Sequence, residues 1–359
     1  MPTTPVRRPS SRGHSQDAAI MISHLDAGQG ERHASHKPPC GSLGCPMYPQ
    51  KMSATGPQPV PDLDGLAPVG ARDADTFVAA CDLAKARSYI HYFPFLHFYG
   101  SDGRLRWERH GDTVLVYQIR RRNAGGTRMT LYLPPMPFDT AALHHALERM
   151  QHFNKSKSAR INWVAEEDVP KVARAGFSVF FKMDEFIYDR AAVMKLEGSG
   201  FSRLRRELSG ALRTSNLEIR PYRPADEPAC LAVLEDWEER MVAAGIKLTV
   251  GSYATRACLA QSDRFTYPLL TGMVAEIDGE ARGFAFGGRL SSEMGCAYLF
   301  HTDPRFPGLP ELLRYRLMEA YPDLSCFNDS GDSGRKGLQQ LKQQFRPVEM
   351  HGRFGAQMN

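Results

Sequence analysis

The chain has 359 residues, a formal net charge of +5 and an apolar fraction of 42%. Its mean hydropathy is −0.40, and no apolar run reaches bilayer-spanning length, which excludes a bundle of membrane helices and leaves room for two ordinary domains and a tail. The basic balance permits contact with nucleic acid or an anionic membrane without requiring either.

Roughly the first seventy residues are rich in Pro, Ser, Gly and His and show no sustained apolar period, so residues 1–72 read as a disordered tail. Arg7 and Arg8 are followed by the polar run SSRGHSQDAA, which is no secretory signal, and a soluble cytoplasmic protein is expected. Within the tail His33, His36, Cys40 and Cys45 have zinc-ligand chemistry, but their spacing fits no zinc motif, so no metal is expected. Met52 is an alternative start. The seven cysteines form no CxxC pair and read as reduced thiols.

From residue 73 the periodicity changes. TFVAACDLAKARSYIHYF has helical spacing; RLRWERHGDTVLVYQIRRR and TRMTLYLPPMP read as strands; FDTAALHHALERMQHF is a helix opened by Asp139 or Thr140. ARINWVA, the short helix EEDVPKVARAG and FSVFFKMDEFIY complete a compact α/β unit over 73–190. The aromatic run YIHYFPFLHFYG is expected in its core and at its sheet edge. A second unit, 191–359, begins with a basic connecting helix. It continues as strand LEIRPYRP, helix ADEPACLAVLEDWEERMVAAG and a hairpin turned at Asp278-Gly279. Strand GCAYLFHTD, helix PELLRYRLMEAY, strand LSCFND, helix KGLQQLKQQF and a short final strand EMHGRF close it. This order is the plan of the GNAT acyltransferases, so a mixed α/β fold of two tandem GNAT-like units is expected.

Several stretches resemble the C-terminal domain of phosphatidylglycerol lysyltransferases: EFIYDRAAVMKLEGSGFSRLRREL, DEPACLAVLEDWEERM, GFAFGGRL, and a closing block carried by Asn328, Asp332, Gly334, Gly337, Leu338, Lys342 and Pro347. The resemblance covers about residues 75 to 355. It implies transfer of an aminoacyl group from aminoacyl-tRNA, with the active unit C-terminal and no cofactor beyond that co-substrate. The flippase half of the lysyltransferases is absent here, a departure that bears on phosphatidylglycerol as acceptor; the expected acceptor is a small molecule, a carrier-bound group or a lipid. In CAYLFHTD, Tyr298, Phe300 and His301 depart from the family's His and acidic residue.

The junction RFPGLP falls where a GNAT enzyme holds the coenzyme A pyrophosphate. Arg305 and Gly308 fit that role, but Pro310 removes an N–H donor. The helix FSRLRRELSGALR sets Leu204, Leu208 and Leu212 as a buried stripe beside Arg203, Arg206 and Arg213, which are candidates for RNA phosphates. Lys155, Lys157 and Arg160 offer a weaker extension of that track. In the segment CFNDSGDSGRKGLQQLKQQFRP, Asp329 or Asp332 can hold the donor's α-ammonium or accept a proton, and Asn328 can donate to a carbonyl or ribose hydroxyl. Lys342 and Arg346 can face phosphate or an oxyanion. The bland alternative is a helix cap. His301, at a strand end, is the candidate base; Cys326 lacks nucleophile partners. An acyl-CoA-dependent GNAT enzyme and a non-catalytic tRNA- or membrane-binding module remain the alternatives.

Overall fold

The computed structural model describes residues 63 and 65–358, apart from 122–125, 247 and 249. The four zinc-type residues of the tail and Met52 lie outside the described residues. The end of the expected tail is structured: Leu66 and Val69 are buried, and strand β1 (Ala67–Pro68) pairs with Trp107 and Arg106. Two apolar side chains and a sheet edge are enough to fix that segment.

The first half runs α1 (Ala74–Ala84), α2 (Phe93–Gly100), β2 (Leu105–His110), β3 (Thr113–Arg121), β4 (Thr127–Leu131), α3 (Thr140–Asn154), β5 (Ala159–Ala165), α4 (Val169–Arg174) and β6 (Ser178–Asp189). The second runs α5 (Arg190–Lys195), α6 (Ser202–Ala211), β7 (Leu217–Pro221), α7 (Glu227–Ala243), α8 (Val250–Gln261), β8 (Thr271–Ile277) and β9 (Glu280–Arg289). It ends with β10 (Met294–Thr302), α9 (Leu309–Glu319), β11 (Cys326–Asn328), α10 (Lys336–Gln344) and β12 (Glu349–Met358).

Local chemistry sets these boundaries. Asp139 caps α3 by accepting the Ala142 N–H at 2.7 Å, and Asp189 caps α5 through Ala192 at 2.8 Å. The β8–β9 hairpin turns through positive φ at Asp278 (54°) and Gly279 (77°), as a tight twisted turn demands. The aromatic run departs from its expected place at a sheet edge. Pro94 sits in the first turn of α2, where its missing N–H costs nothing, and the helix is buried nearly all round. Its rings cross to the second half, with Phe98 5.5 Å from Phe265 and Tyr92 5.7 Å from Tyr298.

All the named strands form one mixed 12-stranded sheet, in the order β1-β2-β3-β4-β5-β12-β6-β11-β10-β9-β8-β7. Each half is an antiparallel meander whose last strand meets the next only through a short parallel pairing: β4 with β5 at Leu131↔Ile161, and β10 with β11. The closing strands are exchanged. β6 of the first half pairs with β11, while β12 of the second inserts between β5 and β6. The boundary expected at residue 190 is therefore crossed in both directions. The expected short final strand is a full one.

Candidate functional site

β10 and β11 pair at Met294↔Cys326, Gly295↔Phe327 and Cys296↔Asn328, and then part. The chain beyond Asn328 follows β6 instead: Asp329 N–H donates to the Phe186 carbonyl at 2.9 Å, and Phe186 N–H to the Ser330 carbonyl at 3.1 Å. A Cβ on Gly331 would stand 3.0 Å from the Asp184 carbonyl, so the loop passes close over β6. β10 continues to Thr302, which leaves a gap between its second part and this loop. At the edge of the gap Tyr298 is the extra residue of a β-bulge, since Ala297 pairs with Gly287 and Leu299 with Phe286. Bulges re-aim side chains and are enriched near active sites.

An ion network fills the base of the gap. Asp329, 2% exposed, takes Arg314 Nε at 3.0 Å and the Tyr188 hydroxyl at 3.1 Å, and its other oxygen lies 3.4 Å from Lys342 Nζ. Arg314 also stacks 4.0 Å from the Phe300 ring. Beside it Glu185, wholly buried, accepts from Ser88 Oγ (3.1 Å), Tyr89 N–H (3.1 Å) and Asn328 Nδ2 (2.6 Å), and Arg353 Nε lies 3.1 Å away. A buried carboxylate is tolerated because donors surround it.

Two buried side chains of β10 keep polar atoms unpartnered among the described residues. The Tyr298 hydroxyl is buried with no hydrogen-bond partner among the described residues, amid Tyr89, Tyr92, Phe95 and Phe98. His301 Nδ1 is likewise unpartnered, and its ring lies between Trp237 (4.9 Å) and Phe284 (5.3 Å). Burial above all, then the neighbouring Arg335, push the His301 imidazole down to about 3. It is neutral at physiological pH and a weak base, which does not suit proton abstraction near neutrality. Arg335 reaches over the Trp237 ring at 6.0 Å from the loop side.

The structure reassigns several residues singled out from the sequence. Lys342 does not face phosphate. It is 3% exposed, and its ammonium donates to the carbonyls of Asp329 and, at 3.0 Å, Gly331. Asn328 is a buried tie, donating to the Arg87 carbonyl at 2.9 Å and accepting Ser330 N–H at 2.7 Å. Asp332 is half-buried at the mouth, its Oδ1 accepting Gly334 N–H at 2.8 Å; α10 is capped at Arg335, so Asp332 is a turn residue and no helix cap. Arg346 is exposed and donates to the Gly200 carbonyl at 2.9 Å. Arg305, exposed, is clamped on Asp303 at 2.9 Å. Arg203, Arg206 and Arg213 are exposed on and just beyond α6, but Leu212 is 57% exposed because the helix ends at Ala211.

Gly308 has φ +80°, and a Cβ there would meet the Glu207 carbonyl at 2.4 Å. Helix α6 therefore sits against the turn where a GNAT enzyme would cradle pyrophosphate. Sequence reasoning gave no role to Glu185, Arg314 or Arg353. Glu185 lies in the quoted segment EFIY and Arg353 in EMHGRF, so the signal was an acid and a base inside otherwise buried strands.

A sheet that parts after a short parallel pairing, twice in one chain, defines a tandem GNAT-like fold. The family described as phosphatidylglycerol lysyltransferase, C-terminal, matches residues 84–357. The chain belongs to this family. Among solved structures it is similar to a conserved protein of unknown function from Bacteroides thetaiotaomicron VPI-5482, with TM-score 0.68, 18% identity, and coverage of 82% of this chain and 99% of that one. It also resembles the C-terminal domain of a putative lysylphosphatidylglycerol synthetase from Agrobacterium fabrum (TM-score 0.58, 15% identity, 80% and 93% covered). L-PGS from Bacillus licheniformis is a third (TM-score 0.58, 15% identity, 82% and 93% covered). FemX aligns at TM-score 0.57 and 10% identity, over 79% and 95%. No curated protein matches by sequence. No helix among the described residues is long and apolar enough to cross a membrane, and no group of three or more potential metal ligands occurs among them.

Proposed function

We propose that this protein transfers an aminoacyl group from aminoacyl-tRNA to the amine or hydroxyl of a small molecule, a carrier-bound group or a lipid, working in the cytoplasm without a further cofactor. The observation that carries the reading is the family match, which runs unbroken across both halves and the gap between β10 and the loop. The close seat of α6 on the turn at Gly308, where a Cβ would meet the Glu207 carbonyl at 2.4 Å, supports aminoacyl-tRNA over acyl-CoA.

In this reading the donor ester lies in the gap. The acceptor attacks its carbonyl, the ester C–O bond breaks, and the ribose hydroxyl leaves with the proton that the acceptor loses. An ester is already activated, so positioning and oxyanion stabilisation supply most of the catalysis. The unpartnered Tyr298 hydroxyl is assigned to the carbonyl oxygen, and Asp332 to the α-ammonium or the acceptor proton. His301, neutral, is a hydrogen-bond partner of the substrate. Asp329, Glu185, Asn328 and Lys342 hold the loop that presents Asp332. The exposed arginines 203, 206 and 213 are assigned to tRNA phosphates.

The test is a transfer assay in cell extract with a mixed aminoacyl-tRNA pool and mass detection of products. Activity should vanish on RNase treatment and survive removal of coenzyme A thioesters. The opposite pattern makes the protein an acyl-CoA enzyme.

A further inference from the structure

We infer that the sheet of the first half carries a binding surface for an RNA phosphate backbone, built from Arg120, Arg128, Arg160 and Lys182. This rests on the proposed use of tRNA and places a second contact region well apart in sequence from the α6 arginines.

Arg120 on β3 stands directly opposite Arg128 on β4. Like charges in that arrangement destabilise a sheet. Arg160 follows on β5, and the charges that bear on it are those of Arg120 and Arg128. Lys182 is the extra residue of a bulge in β6, between the pairs Arg353↔Met183 and Phe354↔Phe181. Its ammonium lies 3.9 Å from the Trp163 ring and donates to the Asn162 carbonyl at 2.6 Å. The charges acting on Lys182 are Arg160, Arg353 and Arg120, and no carboxylate figures in either set. Burial first, then these three cations, pull the Lys182 ammonium down to about 7. Among the described residues no carboxylate is paired with Arg120, Arg128, Arg160 or Lys182.

The cluster also has a direction. Arg120 and Arg160 are exposed, Lys182 is half-buried, and Arg353 beyond it is buried against Glu185 at the gap. A polyanion laid along it is led from the sheet surface toward the reacting site. Arginine suits phosphate oxygens because its planar fork bonds two at once. A membrane surface fits less well, because peripheral sites insert apolar side chains. Among the described residues the exposed large apolar ones are Leu83, Leu212, Val242, Ile246, Leu248, Tyr253, Tyr267 and Val348, and none lies on β3 to β6.

The test uses the full chain and uncharged bulk tRNA, with affinity measured across a KCl series. Arg120→Gln with Arg160→Gln should weaken binding about tenfold at low salt and reduce the log–log salt slope by about two, one for each lost phosphate contact. The melting temperature without RNA should hold or rise as the repulsion is relieved, and Arg120→Lys with Arg160→Lys should keep most of the slope. An unchanged slope overturns the inference. So does a variant that keeps tRNA binding but loses binding to phosphatidylglycerol vesicles, which would make the surface a lipid site. If the wild-type chain transfers from aminoacyl-tRNA yet the double variant binds normally, only this inference falls; if the wild type binds no tRNA, both fall.

Discussion

The ammonium of Lys342 stands 3.4 Å from the carboxylate of Asp329, inside the loop that Asp329 begins. Together with its bonds to the carbonyls of Asp329 and Gly331, this makes Lys342 an internal staple of the loop. Lys342→Met removes one partner of a buried pair and should lower stability by about 3–5 kcal/mol. Urea unfolding measures it. A loss below about 1 kcal/mol would return Lys342 to the phosphate- or oxyanion-facing role read from the sequence.

Asp332 separates the catalytic and structural readings of the same loop. Asn can accept Gly334 N–H as Asp does, so Asp332→Asn should leave the thermal melt within about 0.5 kcal/mol of wild type. Single-turnover transfer should fall by at least about a hundredfold while tRNA affinity holds, because only the ammonium anchor or base is lost. Full activity in this variant would sink the assignment.

The contact of α6 with the turn at Gly308 can be tested alone. Gly308→Ala places a methyl 2.4 Å from the Glu207 carbonyl at a φ of +80°. Both effects oppose the native geometry, and a loss of about 2–4 kcal/mol is expected in chemical denaturation. A silent substitution would mean that the turn is open, as an acyl-CoA site requires.

His351 offers a pH signature. Its ring lies 3.0 Å from both Glu167 and Glu349. Burial lowers its basicity, but Glu167, Glu185 and Glu349 outweigh that, and the imidazole is raised to about 9. A raised histidine adds stability in full below the unfolded value of about 6.5 and loses it as pH climbs through the folded value. The stability difference between wild type and His351→Gln should therefore shrink between about pH 6.5 and pH 9, by about 1–3 kcal/mol. A difference flat over that window refutes the pairing.

Most of the element order was legible from residue 73 onward because helical and strand periods differ and the turn residues announce themselves at Asp278-Gly279. Helix α8 (Val250–Gln261) and the helix inside the aromatic run were not read. The exchange of β6 and β12 was not legible either, since which strand lies beside which leaves no mark in a local pattern. Lys342 was misread for a similar reason: a lysine on a polar helix is ordinarily solvated, and only the fold brings the carbonyls of Asp329, Ser330 and Gly331 to it. Asp332 and Tyr298 lay in quoted motifs, yet the bulge that singles out Tyr298 exists only against β9. The α6 stripe failed at Leu212, where the helix ends one residue earlier than its spacing suggests.

The reciprocal strands have a consequence for biosynthesis. β5 and β6 leave the ribosome long before β12, which must fill the place between them. Until it arrives, both carry unpaired backbone edges that invite association with other chains. The first half thus cannot mature as an independent unit during translation, and a message cut short before residue 349 yields an open sheet rather than a smaller enzyme. Proteases and chaperones that patrol exposed strand edges would read such a product as unfinished.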